Sequence, residues 1–573
     1  MLSEHLPILI WVNQYQREQL VADLIAAVVV TIMLIPQSLA YAMLAGVPPE
    51  VGLYASILPL IAYAIFGSSR TLSVGPVAVA SLMTAVALGN VAAQGSDEYL
   101  AAAIMLALLS GGFLLLMGVL RLGFLANFLS HTVVSGFISA SGIIIALSQL
   151  KHVLGVPTHG DTLPEITASL WAHAHETNIT TLILASLVLA FLFWARSGVT
   201  RLLMRFGVSK WVASMVAKAA PVVGVIATIS ASWGLQLEQQ AVAVVGHIPS
   251  GLPQLSLPTF SFSLIEALWV PALVISIIGY VESVSVGKTL AAKRRQKIDM
   301  NQELIGLGAA NVASAVSGAF PVTGGFSRSV VNFDAGAATQ AASIFAAIGI
   351  ALASLFLTPA LYYLPRATLA ATIIVAVLGL VDFGILKKTW RFSKSDFMAV
   401  FATLFFTLIY GVEAGVACGV GVSLALHLYR TSKPHIAEVG LVEGTQHFRN
   451  VRRFHVQTQP EILSLRVDES LFFANASYLE DLIYSSVYQR GHVAHIVLMC
   501  SAVNEIDFSA LEVLEAINER VGEQGVCLHL SEVKGPVMDA LQSSGFLTHL
   551  SGQVFLSQYE ANCHLTGLYS APD

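Results

Sequence analysis

The sequence predicts an all-α polytopic membrane protein followed by a small α/β domain, and three observations carry that reading. Of 573 residues, 55% are hydrophobic and only 11% charged, with a mean hydropathy of +0.74; soluble domains carry roughly 25% charged residues. Apolar stretches of bilayer length recur up to Tyr429, and from Leu24 to Ser69 the only charge is Glu50. Beyond about Glu461, charge density rises and strand-period and helix-period segments alternate. A net charge of −6 leaves no basic footprint for nucleic acid.

Taken in order, membrane spans are predicted at 21–44, 51–67, 76–90, 100–120, 131–150, 180–196, 211–231, 264–290, 301–317, 327–336, 338–358, 367–383, 396–410 and 412–429. Loop charges set their direction. Arg70, Arg121, the group Arg196/Arg201/Arg205/Lys210, the basic run 293–297, then Lys387/Lys388/Arg391/Lys394 and Arg430/Lys433 fall on one side. The opposite loops are acidic at 94–99, His-rich at 152–176 and free of Lys and Arg at 232–262, with Lys151 and Arg366 as exceptions. The positive-inside rule then makes both termini cytoplasmic and the span number even. No small-residue cleavage site precedes the first span, so no cleavable signal peptide is expected. Four cysteines, Cys418, Cys500, Cys527 and Cys563, lack paired or metal spacing and are expected to be reduced.

Two spans are too short or too broken to be simple helices. Pro76 opens one, rich in small and polar residues, after SRTLSVG; Phe326 opens the other after FPVTGG. Breaks at corresponding places in two halves point to a binding site in an inverted-repeat transporter, although two kinked helices are the plainer alternative. In the tail, 461–467, 495–500 and 526–533 read as strands, and 476–490 and 509–524 as helices. Asp507 there reads as a helix N-cap.

Arg328 follows the second break. A guanidinium stays charged and needs a partner in low dielectric, and a helix start offers free N–H groups and about half a positive charge. Phe326, Ser327, Arg328 and Ser329 thus describe a pocket for a small anion; snorkelling to the headgroups is the alternative role for the arginine. Glu282 lies about 18 Å along its helix from Arg294, well inside the bilayer. It can lock two helices as an ion pair or carry a proton when an anion competes for the same arginine. Gln37 and Tyr41 share one helical face at i and i+4, suited either to interhelical hydrogen bonding or to substrate contact. His152, His159, His173 and His175 show no metal spacing and are expected to be solvated loop residues, and Glu413 a cap at a turn. No cofactor, metal set or nucleophile–base pair is expected, so an enzyme is disfavoured.

The block PQSLAYAMLAGVPPEVGLYASILPLIAYAIFGSSRTLSVGPVAVASL resembles the signature of the SulP (sulfate permease) anion transporters, and NQELIGLGAANVASAVSGAFPVTGGFSRSVVNFDAGAATQ its counterpart in the second half. The tail from about residue 440 resembles the family's STAS domain. The resemblance implies fourteen segments in two inverted repeats of seven within 1–435. A core (about 21–120 and 264–358) would move like an elevator against a gate (about 131–231 and 367–430), in a homodimer, with 440–573 as a cytoplasmic STAS domain open to a regulator. By the same motifs, Gln37, Tyr41, Val77, Ala78, Phe326, Ser327 and Arg328 would contact the anion. Plant proton-coupled members carry a coupling glutamate in the context of Glu282, and cyanobacterial bicarbonate members generally lack the arginine. Proton-coupled sulfate uptake at the cell membrane is therefore expected. The alternatives are a chloride/bicarbonate or dicarboxylate exchanger, or an anion-gated sensor without net flux. Phe508 after Asp507, where the family's phosphorylatable hydroxyl usually stands, speaks against phospho-switching there.

Overall fold

A computed structural model describes residues 6–567 apart from 128–130, 159, 161, 210–211, 214–215, 218 and 256–260. The chain forms two compact units, 1–423 and 424–573.

In the first unit, six helical segments are long and apolar enough to cross a membrane: Arg17–Ala45, Pro49–Phe66, Asp97–Val119, Thr132–Leu154, Ile179–Arg205 and Phe262–Lys293. Other helices follow the remaining expectations, among them Ala220–Leu235, Met300–Val316, Ala341–Phe356, Arg366–Leu378, Lys394–Tyr410 and the 21-residue Val412–Ser432. The segment predicted as one span at 51–67 is two helices, Pro49–Tyr54 and Leu58–Phe66. Pro59 causes the break, because it has no N–H to give the carbonyl four residues back. The same segment lies tight on the Arg17–Ala45 helix: a Cβ at Gly52 would sit 2.0 Å from the Ser38 carbonyl oxygen.

Four expectations need correction. Arg196, Arg201 and Arg205, read as loop charges, are helical, since Ile179–Arg205 runs nine residues past the predicted end at 196. A basic amphipathic helix, Gly384–Phe392, occupies the presumed loop around Lys387 and Lys388. Of the histidines at 152–176, His175 is exposed as expected, whereas His152 is half-buried in the Leu150–Leu154 helix and the His173 ring packs against the Ser169 carbonyl, 2.9 Å away. His159 lies outside the described residues. The turn before the last helix falls at Gly411 (φ 94°), so Glu413 sits inside that helix's first turn; its side chain lies outside the described residues.

The first unit is also not purely helical. Strand β1 (Val74–Gly75) pairs antiparallel with β2 (Thr323–Gly324), with Val74 opposite Gly324. Each strand leads directly into a half-length helix, Ala78–Gly89 with Val77 as N-cap and Phe326–Asp334 with Gly325 as N-cap. The pairing satisfies backbone groups that an unwound membrane segment would otherwise expose.

Side chains complete this accounting. Asn311 accepts from Val322 N–H and donates to Val322 C=O, both at 2.9 Å. Ser283 Oγ accepts from Gly324 N–H at 2.8 Å, and Ser329 Oγ from Ser73 N–H at 2.9 Å. Two wholly buried acids, which sequence reasoning passed over, hold the flanks. Glu303 accepts from Ser68 N–H, Ser69 N–H, Ser68 Oγ and Tyr63 OH, all within 2.9 Å. Asp23 accepts from Tyr15 OH, Ala338 N–H, Thr339 N–H and Thr339 Oγ1. Each carboxylate is fully hydrogen-bonded, which is what makes its burial tolerable.

The second unit is a six-stranded sheet in the order β4-β3-β5-β6-β7-β8. The strands are β3 (Ile436–Leu441), β4 (Phe448–Asn450), β5 (Ile462–Val467), β6 (His495–Met499), β7 (Cys527–Ser531) and β8 (Val554–Phe555). β5 to β8 are parallel; β3 runs antiparallel to β4 and β5. The helices Ala476–Arg490 and Phe508–Glu523 fall where the sequence places them. Asp507 is an N-cap, accepting from Ala510 N–H at 2.8 Å and also from Phe473 N–H at 2.9 Å.

His529 in β7 is 5% exposed; its Nδ1 accepts from Gln553 N–H and its Nε2 lies 3.1 Å from His495 Nδ1. Burial, then the neighbouring His495 and His564, push its pKa down to about 4. The unfolded chain, with an ordinary histidine near 6.5, therefore binds a proton that the native domain refuses. The contribution is complete above pH 6.5 and drains away as pH falls toward 4. Lowering pH from 7 to 5 should cost this unit about 2 kcal/mol, read as faster hydrogen exchange in β6 and β7. His529→Gln should flatten that dependence, and equal protection at both pH values in the parent would disprove the coupling.

Candidate anion site

The two half-helices start side by side because β1 and β2 cross immediately before them. Their first N–H groups have no intrahelical partners and carry the positive end of each helix dipole. Between them lies Arg328, only 2% exposed. Its Nη1 donates to the Pro76 carbonyl at 2.6 Å, while Nε and Nη2 have no hydrogen-bond partner. Two glycines make the slot: a Cβ at Gly75 would lie 3.2 Å from Nη1, and one at Gly325 3.0 Å from Nη2. The guanidinium is thus packed at the break rather than extended to the surface. Unpartnered buried donors cost about 1–3 kcal/mol each, more when charged, unless something accepts from them.

Beside this break is a cavity of about 410 Å³, walled by the Arg17–Ala45 helix, the second half-helix and the helices Ile179–Arg205, Ala220–Leu235 and Arg366–Leu378. Gln37, Tyr41, Phe326 and Ser327 all line it. Pro36 also lines it, one residue from Gln37, and its missing N–H leaves a gap in that helix's bonding. Tyr41 is within electrostatic range of Arg328. Val77 and Ala78 are buried at the first half-helix start and lie outside the cavity wall.

Glu282, 9% exposed, lies on the Phe262–Lys293 helix among Val133, Phe137, Ile278, Val281 and Val416. It is within electrostatic range of Arg328, but among the described residues no ion pair within 4.0 Å joins the two. The expected direct pairing is therefore not seen. Arg328 turns toward the Pro76 carbonyl instead, and Glu282 lines an apolar cleft. Among the described residues no cluster of His, Cys, Asp or Glu could hold a metal.

One cavity residue escaped sequence reasoning. Arg196 lines the wall from the Ile179–Arg205 helix. The sequence marks it only as a topology charge, yet Leu192, Arg196 and Thr200 recur every fourth residue and share one face of that helix.

Paired half-helices around a buried cation, beside a largely apolar cavity that carries a few polar groups, within a multi-pass helical unit, define a membrane transporter. The chain belongs to the sulfate permease family: the family model matches residues 20–403, and the STAS domain model matches 453–561. It is 37% identical over 550 residues to sulfate transporter 4.1, chloroplastic, of Arabidopsis thaliana, covering 94% of this chain and 79% of that protein. It is 31% identical over 575 residues to high affinity sulfate transporter 1 of Stylosanthes hamata, covering 97% and 85%. In fold it is similar to the murine Slc26a9 anion transporter in the inward-facing state, with a TM-score of 0.89 at 23% identity over 99% of this chain and 94% of that one. The transmembrane domain of the cyanobacterial bicarbonate transporter BicA aligns with a TM-score of 0.60 at 23% identity, over 70% and 98%.

Proposed function

We propose that this protein imports sulfate, or a similar small oxyanion, together with protons. The observation that carries the reading is the pair of unpartnered N–H groups on buried Arg328. One guanidinium and two half-helix ends of about 0.5 charge each sum to about +2, which balances a doubly charged anion. Gln37, Tyr41 and Ser327 add hydrogen-bond donors from the cavity side, and the N–H groups around Val77, Ala78 and Phe326 close the shell. The plant relatives are sulfate transporters, which supports this choice of anion.

Glu282 is the proton carrier in this scheme. When an anion engages Arg328, the carboxylate loses its nearest cation in an apolar cleft and binds a proton, and the loaded core crosses. Coupling is needed on energetic grounds. Moving one negative charge inward against 100 mV costs about 2.3 kcal/mol, so sulfate faces about 4.6 and one proton offsets about half. The moving body is the core, about 21–120 and 264–358, working against the gate in a homodimer. Both termini face the cytoplasm, as does the cavity, whose wall includes the arginine-bearing end of Ile179–Arg205.

Reconstitution in liposomes tests this directly. Labelled sulfate should accumulate when the outside is made acidic, and a protonophore should abolish the accumulation. Uptake indifferent to the proton gradient but stimulated by internal chloride would establish an exchanger instead.

A further inference from the structure

The cavity is larger than one stripped anion requires. At about 30 Å³ per water, 410 Å³ holds on the order of a dozen waters. A hydrated anion can therefore sit there on its way to or from Arg328, which is buried and does not line the cavity. The cavity carries its own cation. Arg196 is exposed to it, with one Nη hydrogen-bonded to the Val375 carbonyl. A guanidinium has five N–H donors, so most remain for water or a ligand.

The opposite wall leaves room for the group. Gly379, also a cavity residue, has no side chain, and a Cβ there would lie 2.7 Å from Arg196 Nη2. Phe193 lies beneath the guanidinium, its ring centroid 5.9 Å away, at the edge of cation–π range. The nearest acids discussed above, Asp23, Glu282 and Glu303, do not line this cavity. Among the described residues Arg196 is the one charged side chain lining this recess, and a positive charge between low-dielectric walls concentrates anions there, doubly charged ones most.

From this placement, and resting on the anion-transport reading above, we infer that Arg196 forms a second anion site in series with Arg328, on the cytoplasmic path by which an imported anion leaves and a counterflowing one enters, and that it favours divalent over monovalent oxyanions. Arg196 stands on the gate side of the proposed division. It therefore stays behind when the core moves, and it hands the anion over instead of travelling with it. Its influence falls on capture from the cytoplasmic side, as in counterflow, more than on the maximum rate.

The test is counterflow in inside-out vesicles, with labelled sulfate or nitrate on the cavity side and ionic strength varied. In Arg196→Gln the sulfate KM should rise about 5- to 10-fold, as for loss of one steering charge, and the nitrate KM only about 2- to 3-fold. The maximum rate should change less than either KM. The parent's KM should climb with salt more steeply than the variant's. Arg196→Lys should restore much of the salt dependence, and Gly379→Ala, which displaces the guanidinium, should act in the direction of Arg196→Gln. An unchanged sulfate KM in Arg196→Gln, or equal losses for sulfate and nitrate, would overturn the inference and leave Arg196 as a structural tie to Val375. A parent protein that carries neither anion would instead overturn the transport reading itself.

Discussion

Arg328→Ala is expected to lose sulfate binding by about 100-fold or more, the scale seen when one partner of a buried, hydrogen-bonded charge pair is removed. The same change deletes the two buried donors that have no acceptor. Apo protein should therefore melt no lower than the parent, because an unsatisfied buried charge costs stability. The two readouts together separate loss of a site from loss of a fold. Equilibrium binding of labelled sulfate and a melting curve without anion are sufficient, and retained affinity would exclude Arg328 as the anchor. Arg328→Lys should not rescue it, since an ammonium cannot keep one donor on Pro76 and present two others in a plane.

Glu282→Gln should bind sulfate nearly as the parent does while its uptake loses dependence on the pH gradient. Coupling to one proton multiplies the attainable accumulation ratio by about ten per pH unit, and the amide removes that factor because it cannot exchange a proton. Its surroundings are suited to the swap: the side chain has no ion pair among the described residues and lies in an apolar cleft. Accumulation by the variant that remains as steep in pH as the parent's would take Glu282 out of the mechanism. Residual steepness would point to a second proton carrier.

How much of this was legible in advance follows from the range of each interaction. The long spans, the two half-length helices, the strands at 461–467 and 495–500 and the Asp507 cap were all readable. Each is written in neighbouring residues: an uninterrupted apolar run, a proline or glycine break, an alternation, a capping side chain. The arginine after the second break was equally visible, because a charge among apolar residues stands out whatever surrounds it. Pro59 was visible too, but its consequence was missed, since a span can bend at proline as readily as break.

Other features join residues far apart in the chain, and nothing local announces them. Arg328 meets the Pro76 carbonyl across 252 positions, Glu303 meets Ser68 across 235, and Arg196 meets Val375 across 179. Composition foretold that a cation would be buried near the break; the crossing of β1 and β2 settled which of its donors are spent on backbone and which stay available. The apolar content of the chain drives segments into the membrane, a non-directional force that acts residue by residue. Hydrogen-bond geometry is directional and short-ranged, so the form of the anion pocket emerges only when the two halves of the chain meet.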